Sequence, residues 1–185
     1  MKNFLTTTLL AAAAAAAPAT APNNDHTCTK RSTQVTEWTI KDFDFHASYI
    51  FTTPAHQNSW GYVNFTLANP AVDYPLQCMS SSNWLQDFYY GMINYNCTLP
   101  DGTYSDAGTF NFSRPTNELN INQTWSCPDE GSVFWAEGGI KLDLECTDET
   151  TKTPDWEPGQ IYSSRIIACD KVTTPVKMES LRAIA

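Results

Sequence analysis

The sequence predicts an all-β fold: a single compact antiparallel β-barrel, or a tightly closed β-sandwich, stapled by disulfides. Three observations predict it. Short runs of alternating apolar and polar residues recur along the chain, separated by Pro, Gly, Asn and Asp clusters, and helical periodicity is hard to find. Six cysteines form an even set with no CxxC pair and no histidine at metal-ligand spacing, which makes disulfides the default. Four Asn-x-Ser/Thr acceptors fall on the polar phase of their runs, so the face fit to carry sugar is the face the apolar residues leave to solvent.

Taken in order, residues 1–21 read as a signal peptide. Lys2 is followed by an apolar stretch from Phe4 through Leu10, an alanine run ending at Ala17, and a small-residue exit containing Pro18. The segment is too short to span a bilayer, and no later apolar run reaches membrane-spanning length. The expected destination is secreted, extracellular or in the cell wall. Residues 22–34 read as a polar leader, 35–172 as the barrel and 173–185 as a C-terminal tail.

Within the barrel, Trp38 and Ile40 alternate and then the phase shifts to Phe43 and Phe45, which predicts a bulge near Lys41. Val63, Phe65 and Leu67 set the next run, followed by Ile93, Tyr95 and Cys97, then Phe110 and Phe112. Leu119, Ile121, Gln123 and Trp125 form another, and Ile140, Leu142, Leu144 and Cys146 another; Gln160 to Val172 is the last strand candidate. Asp101-Gly102 and Gly138-Gly139 read as turns, and Thr147 to Gly159, with Pro154 and Pro158, as a loop. About seven to ten short strands result, enough for a sheet to fold onto itself.

The glycosylation acceptors are Asn64, Asn96, Asn111 and Asn122, of which Asn96 has a cysteine at its centre. Among the cysteines, Cys78 and Cys97 are 19 apart, as are Cys127 and Cys146. Joining near neighbours would close two local loops, each worth about 3 kcal/mol in the chain-entropy model, and leave Cys28 to reach Cys169. The spacing alone leaves every connectivity open.

Twenty acidic residues against eleven Lys and Arg give a formal charge of −9, with no basic cluster. Nucleic acid and anionic membranes are therefore excluded as partners. Chemistry is sparse. Asp42, Asp44 and His46 would share a face at strand period, yet ligands on one flat strand diverge, so an acidic solvated face is the expectation. Asp143 and Glu145 read as the wet side of a strand, His26 falls in the leader and His56 in a polar loop, and no Gly-x-Ser-x-Gly elbow occurs. The sequence calls for no catalytic residue, metal or cofactor. Aromatic residues are the better material: Trp60, Tyr62, Trp84, Phe88, Tyr89 and Tyr90. Trp60 and Tyr90 are expected inside, as a barrel core needs large side chains, and Trp84, Tyr89 and Trp156 are the candidate binding residues.

Several stretches carry a resemblance. Trp38-Thr-Ile-Lys-Asp-Phe43, Phe65-Thr-Leu, Cys78 to Cys97 bracketing Phe88-Tyr-Tyr, Thr109-Phe-Asn-Phe112, Leu119-Asn-Ile, Thr124-Trp-Ser-Cys127, Phe134-Trp-Ala and Leu142-Asp-Leu-Glu-Cys146 occur in an order and spacing similar to the Alternaria-type major allergen family of secreted fungal proteins. The resemblance implies a β-barrel with disulfides Cys78–Cys97 and Cys127–Cys146, no settled enzymatic activity, and an allergen or effector acting on host plant defence proteins. Some members dimerise through an unpaired N-terminal cysteine; here Cys169 is available to Cys28, leaving monomer or homodimer as the expectation. The expected function is a secreted binding protein contacting a host extracellular protein. The alternatives are a carbohydrate-binding protein that holds a cell-wall glycan, and a secreted hydrolase.

Overall fold

A computed structural model describes residues 27–83, 89–101 and 104–185. The segment expected to be a signal peptide, His26, Trp84, Phe88 and Gly102 lie outside the described residues. Helix α1 (Cys28–Gln34) precedes strands β1 (Glu37–Thr53), β2 (His56–Ala68), β3 (Leu76–Ser82), β4 (Tyr95–Thr98), β5 (Tyr104–Ser113), β6 (Glu118–Cys127), β7 (Ser132–Lys141), β8 (Cys146–Lys152), β9 (Ser163–Cys169) and β10 (Val172–Ile184). The fold is all-β. Strands β1 to β7 pair with their neighbours in antiparallel order, and β10 joins β7 to β1, which closes an eight-stranded antiparallel barrel. Strands β9 and β8 extend outward as a hairpin from the far half of β1.

Alternation explains the wall. In β2, Val63, Phe65 and Leu67 point inward and are almost fully buried, while Tyr62, Asn64 and Thr66 point outward. The interior is aromatic, with Phe43 edge-on to Phe112 at 5.2 Å and Phe65 edge-on to Phe110 at 5.0 Å. Polar groups are buried beside this layer as well. Gln123 is buried, and its Oε1 accepts from Trp38 Nε1 and from Asn69 Nδ2, each at 2.8 Å. The β1 phase shift falls where the sequence places it: the register breaks between Ile40 and Phe43, and Asp42 takes a positive φ of 54°.

Four expectations about the chain's secondary structure need correction. Residues 173–185 are no tail but most of β10, which inserts Val176 and Met178 into the core. Its signal is faint because those are its only two buried residues, and Pro175, opposite Thr39, reads as a strand breaker. The polar leader carries α1, capped by the Thr27 side chain; buried Ser32 accepts from Trp125 Nε1 at 2.8 Å. The loop expected over 147–159 begins as β8, whose residues after Cys146 are all exposed, so no apolar alternation announces it. Gly138-Gly139 lies inside β7 and is no turn. A Cβ on Gly138 would sit 2.3 Å from the Lys177 carbonyl of β10, and one on Gly139 would sit 2.6 Å from Asn120 Oδ1. These glycines allow close approach of neighbouring strands.

The disulfides are Cys78–Cys97, Cys28–Cys127 and Cys146–Cys169. The expected Cys127–Cys146 and Cys28–Cys169 pairs are absent for a geometric reason. Cys127 lies opposite Ser132, where β7 starts, whereas Cys146 follows the far end of that ten-residue strand. A strand of this length spans about 33 Å, well beyond the few ångströms a disulfide can bridge. Cys146 instead faces Cys169 across the β8–β9 ladder, and Cys28 of α1 meets Cys127 at the end of β6.

Candidate functional site

On β1 the outward residues are Asp44, His46 and Ser48, and on β2 they are Trp60, Tyr62 and Asn64. The register sets Asp44 opposite Asn64, His46 opposite Tyr62 and Ser48 opposite Trp60. Directly opposed residues on one face touch. The His46 imidazole stacks on the Tyr62 ring with centroids 5.5 Å apart and planes within 11°, and Trp60 leans on Tyr62 at 5.2 Å. The Tyr62 hydroxyl donates to Asp44 Oδ2 at 3.4 Å. Burial, and then the Asp44 carboxylate, pushes the Tyr62 phenol above its ordinary value.

Trp60 is 48% exposed despite this stacking. The face continues sideways: Ser48 is also opposite Ile166 of β9, and Asn64 is opposite Met79 of β3, both well exposed. An indole, a phenol and an imidazole thus share a rigid two-strand wall with one carboxylate and two exposed apolar side chains. Such a surface supplies ring faces for stacking and a polar rim for orientation.

The residues singled out from sequence fare differently. Trp84 lies outside the described residues. Tyr89 is a core residue, 4% exposed, with its ring edge-on to Tyr95 at 5.6 Å and to Phe45 at 6.2 Å. Its hydroxyl accepts from Ser80 at 3.1 Å and donates to the Gly61 carbonyl at 3.5 Å, and burial pushes its phenol up to about 12. The expectation of an exposed binding residue there is corrected: two bonding partners inside let the tyrosine turn inward. Trp156 is half-buried, donates its Nε1 to the Gln160 carbonyl at 2.9 Å and meets Tyr162 edge-on, so its indole braces its own loop. Trp60 and Tyr90, expected inside, are both exposed. The signal for Trp60 was present: counted back from Val63, it falls on the same outward phase as Asn64.

At the bulge Asp42 takes a positive φ of 54° and donates its backbone N–H to Thr173 Oγ1. Among the described residues, no three His, Cys, Asp or Glu side chains are grouped to hold a metal ion. Asp143 and Glu145 are exposed on the segment between β7 and β8 rather than on a strand, and His56 pairs its Nδ1 with Thr52 Oγ1 at 2.8 Å. All four acceptor asparagines lie on the outer surface. Asn96 is exposed; Asn64, Asn111 and Asn122 are half-buried. Asn111 also belongs to an amide ladder, donating to Asn94 Oδ1 and accepting from Asn120 Nδ2, each at 2.9 Å.

The sequence matches the family model of Alternaria alternata allergen 1 over residues 40–169. Two solved structures are similar to the chain. A crystal structure of the Alternaria alternata allergen Alt a 1 aligns at 12% identity and a TM-score of 0.43, covering 77% of this chain and 87% of that one. A crystal structure of the Alternaria alternata major allergen Alt a 1 aligns at 13% identity and a TM-score of 0.41, covering 80% of this chain and 94% of that one. No curated protein matches the chain.

Proposed function

This chain belongs to the Alternaria alternata allergen 1 family, and from that premise we propose that it is a secreted, non-enzymatic binding protein that contacts a host defence protein outside the cell. The contact surface in this reading is the Trp60–Tyr62–His46 wall. The observation that carries it is the exposed Trp60 indole held against Tyr62 of the same strand, which His46 of β1 backs in turn, since a preorganised aromatic loses little entropy on binding and such residues dominate interface energetics. Export is supported by the three disulfides, the apolar N-terminal stretch and the outward phase of every acceptor asparagine, which we propose carry N-glycans. The absence of catalysis is supported by how the acid and the imidazole are occupied. Asp44 is bonded to Tyr62 and His46 is stacked on the same ring, so the carboxylate does not orient the imidazole as a general base requires.

The test is capture from plant apoplastic fluid on immobilised protein, with Trp60→Ala run in parallel. The expected result is one host protein retained by the native chain, rebinding as a purified component and lost with Trp60→Ala. Retention of chitin or β-glucan that disappears in Trp60→Ala would replace the protein partner with a cell-wall glycan, and equal capture by both chains would remove this face from the proposal.

A further inference from the structure

The three disulfides sit in different surroundings. Cys78 and Cys97 are fully buried within the wall between β3 and β4, and half-buried Cys28 of α1 is tied to Cys127, which is 1% exposed. Cys146 and Cys169 are both half-buried, on the β8–β9 hairpin outside the closed wall. They are direct cross-strand partners with Cα atoms 3.9 Å apart. β8 is the outermost strand of the sheet and pairs with β9 alone, so this bond joins the last two strands and packs against the margin of the core.

A cation is aimed at this bond. Arg114, in the connection between β5 and β6, places Nη2 3.6 Å from Cys146 Sγ. Its other contacts hold it there: Nη1 donates to Asn117 Oδ1 at 2.5 Å, the guanidinium lies over the Phe45 ring at 5.2 Å, and its backbone N–H donates to the Tyr89 carbonyl at 2.8 Å. A fixed guanidinium beside one sulfur of a disulfide stabilises negative charge developing on that sulfur, which favours its departure as a thiolate. No comparable contact to a cationic side chain appears at the other two disulfides among the described residues.

We propose that Cys146–Cys169 is a thiol–disulfide exchange site, opened by small thiols of the glutathione class, with Arg114 assisting the departure of Cys146. The incoming thiolate attacks Cys169 Sγ. A bond forms between the two sulfurs, the Cys146–Cys169 bond breaks, and Cys146 leaves with the electron pair facing the guanidinium. A second thiolate then attacks the sulfur of the first reductant molecule and releases Cys169 as a thiolate. Two reductant thiols become one disulfide, and two cysteines are reduced. The other two disulfides remain closed, so the barrel persists while the hairpin loses its covalent tie. Arg114 is a positioning and charge-stabilising residue that does not itself react. This inference is independent of the binding face proposed above.

The test exposes the oxidised full chain to reduced glutathione under native conditions, traps thiols with iodoacetamide at intervals and locates each label by peptide mass. The expected result is that Cys146 and Cys169 are labelled about tenfold faster than the other four cysteines, with the transient glutathione adduct on Cys169. Arg114→Gln should slow this opening by about three- to tenfold and Arg114→Lys should restore most of the rate, because it keeps the charge. Simultaneous opening of all three bonds in the native chain, or an adduct confined to Cys146, would overturn the proposal. So would an unchanged rate in Arg114→Gln. If Arg114→Gln loosens the fold, the buried Cys78, Cys97 and Cys127 become labelled early and report it, and the order of opening in the native chain decides the matter.

Discussion

Gly138 of β7 lies directly beneath the Lys177 carbonyl of β10, with the Trp38 ring on its other side. A Cβ at this position would come within 2.3 Å of the carbonyl oxygen and 3.1 Å of the indole. The strand that closes the barrel therefore rests on a position that tolerates no side chain. Gly138→Ala should push β10 away from β7 and lower stability by about 1–3 kcal/mol, the usual range for overpacking a tight interior. Urea unfolding checks this, and an unchanged midpoint would mean that the two backbones yield freely.

Gln123 makes a second, chemical demand. Its Oε1 is the shared acceptor for Trp38 Nε1 and Asn69 Nδ2, all within the core. Gln123→Leu keeps the bulk and removes the acceptor, stranding two buried donors at about 1–3 kcal/mol each. The expected outcome is a fall in the unfolding midpoint larger than that for Asn69→Ala, which removes one donor to Gln123, strands the single Ala71 N–H and leaves the Trp38 bond in place. A change in unfolding slope as well as midpoint would point instead to a loosened native state.

Alkaline titration should report Tyr89. Burial raises its phenol from 10.0 to about 12, so the folded chain holds this proton more tightly than the unfolded chain does. Its contribution to stability is complete below pH 10 and is lost as pH climbs towards about 12. Ultraviolet titration should show a late phenolate step that coincides with loss of near-ultraviolet circular dichroism and vanishes in Tyr89→Phe. Tyr62, Tyr74 and Tyr95 are also raised, each chiefly by burial, so the variant is needed to assign the step.

How far the fold could be read in advance depended on whether a strand buries a face. Strands β2 and β6 alternate because Val63, Phe65 and Leu67, or Leu119, Ile121 and Trp125, must enter the core while their neighbours meet water. Strand β8 buries nothing after Cys146 and β10 buries two residues, so backbone pairing makes them strands and side chains leave almost no trace. Gly138-Gly139 misleads for the converse reason, since the same residues serve turns and tight strand contacts. The candidate site was half legible. The outward phase that marks Asn64 also marks Trp60 and Tyr62, but the Asp44 and His46 contacts depend on the β1–β2 register, and Tyr89 turns inward on hydrogen bonds to Ser80 and Gly61 that no local pattern encodes.

The seam between β1 and β10 joins Glu37 to Lys177 across most of the chain. Translation proceeds from the amino end, so β1 exists as an open edge, its amide and carbonyl row unanswered, long before its mate emerges. Loop-closure entropy slows such a distant pairing, and in that interval the half-made sheet can recruit a neighbouring nascent copy. Yield from a recombinant host should then depend more on chaperone supply and crowding during synthesis than on the robustness of the finished protein.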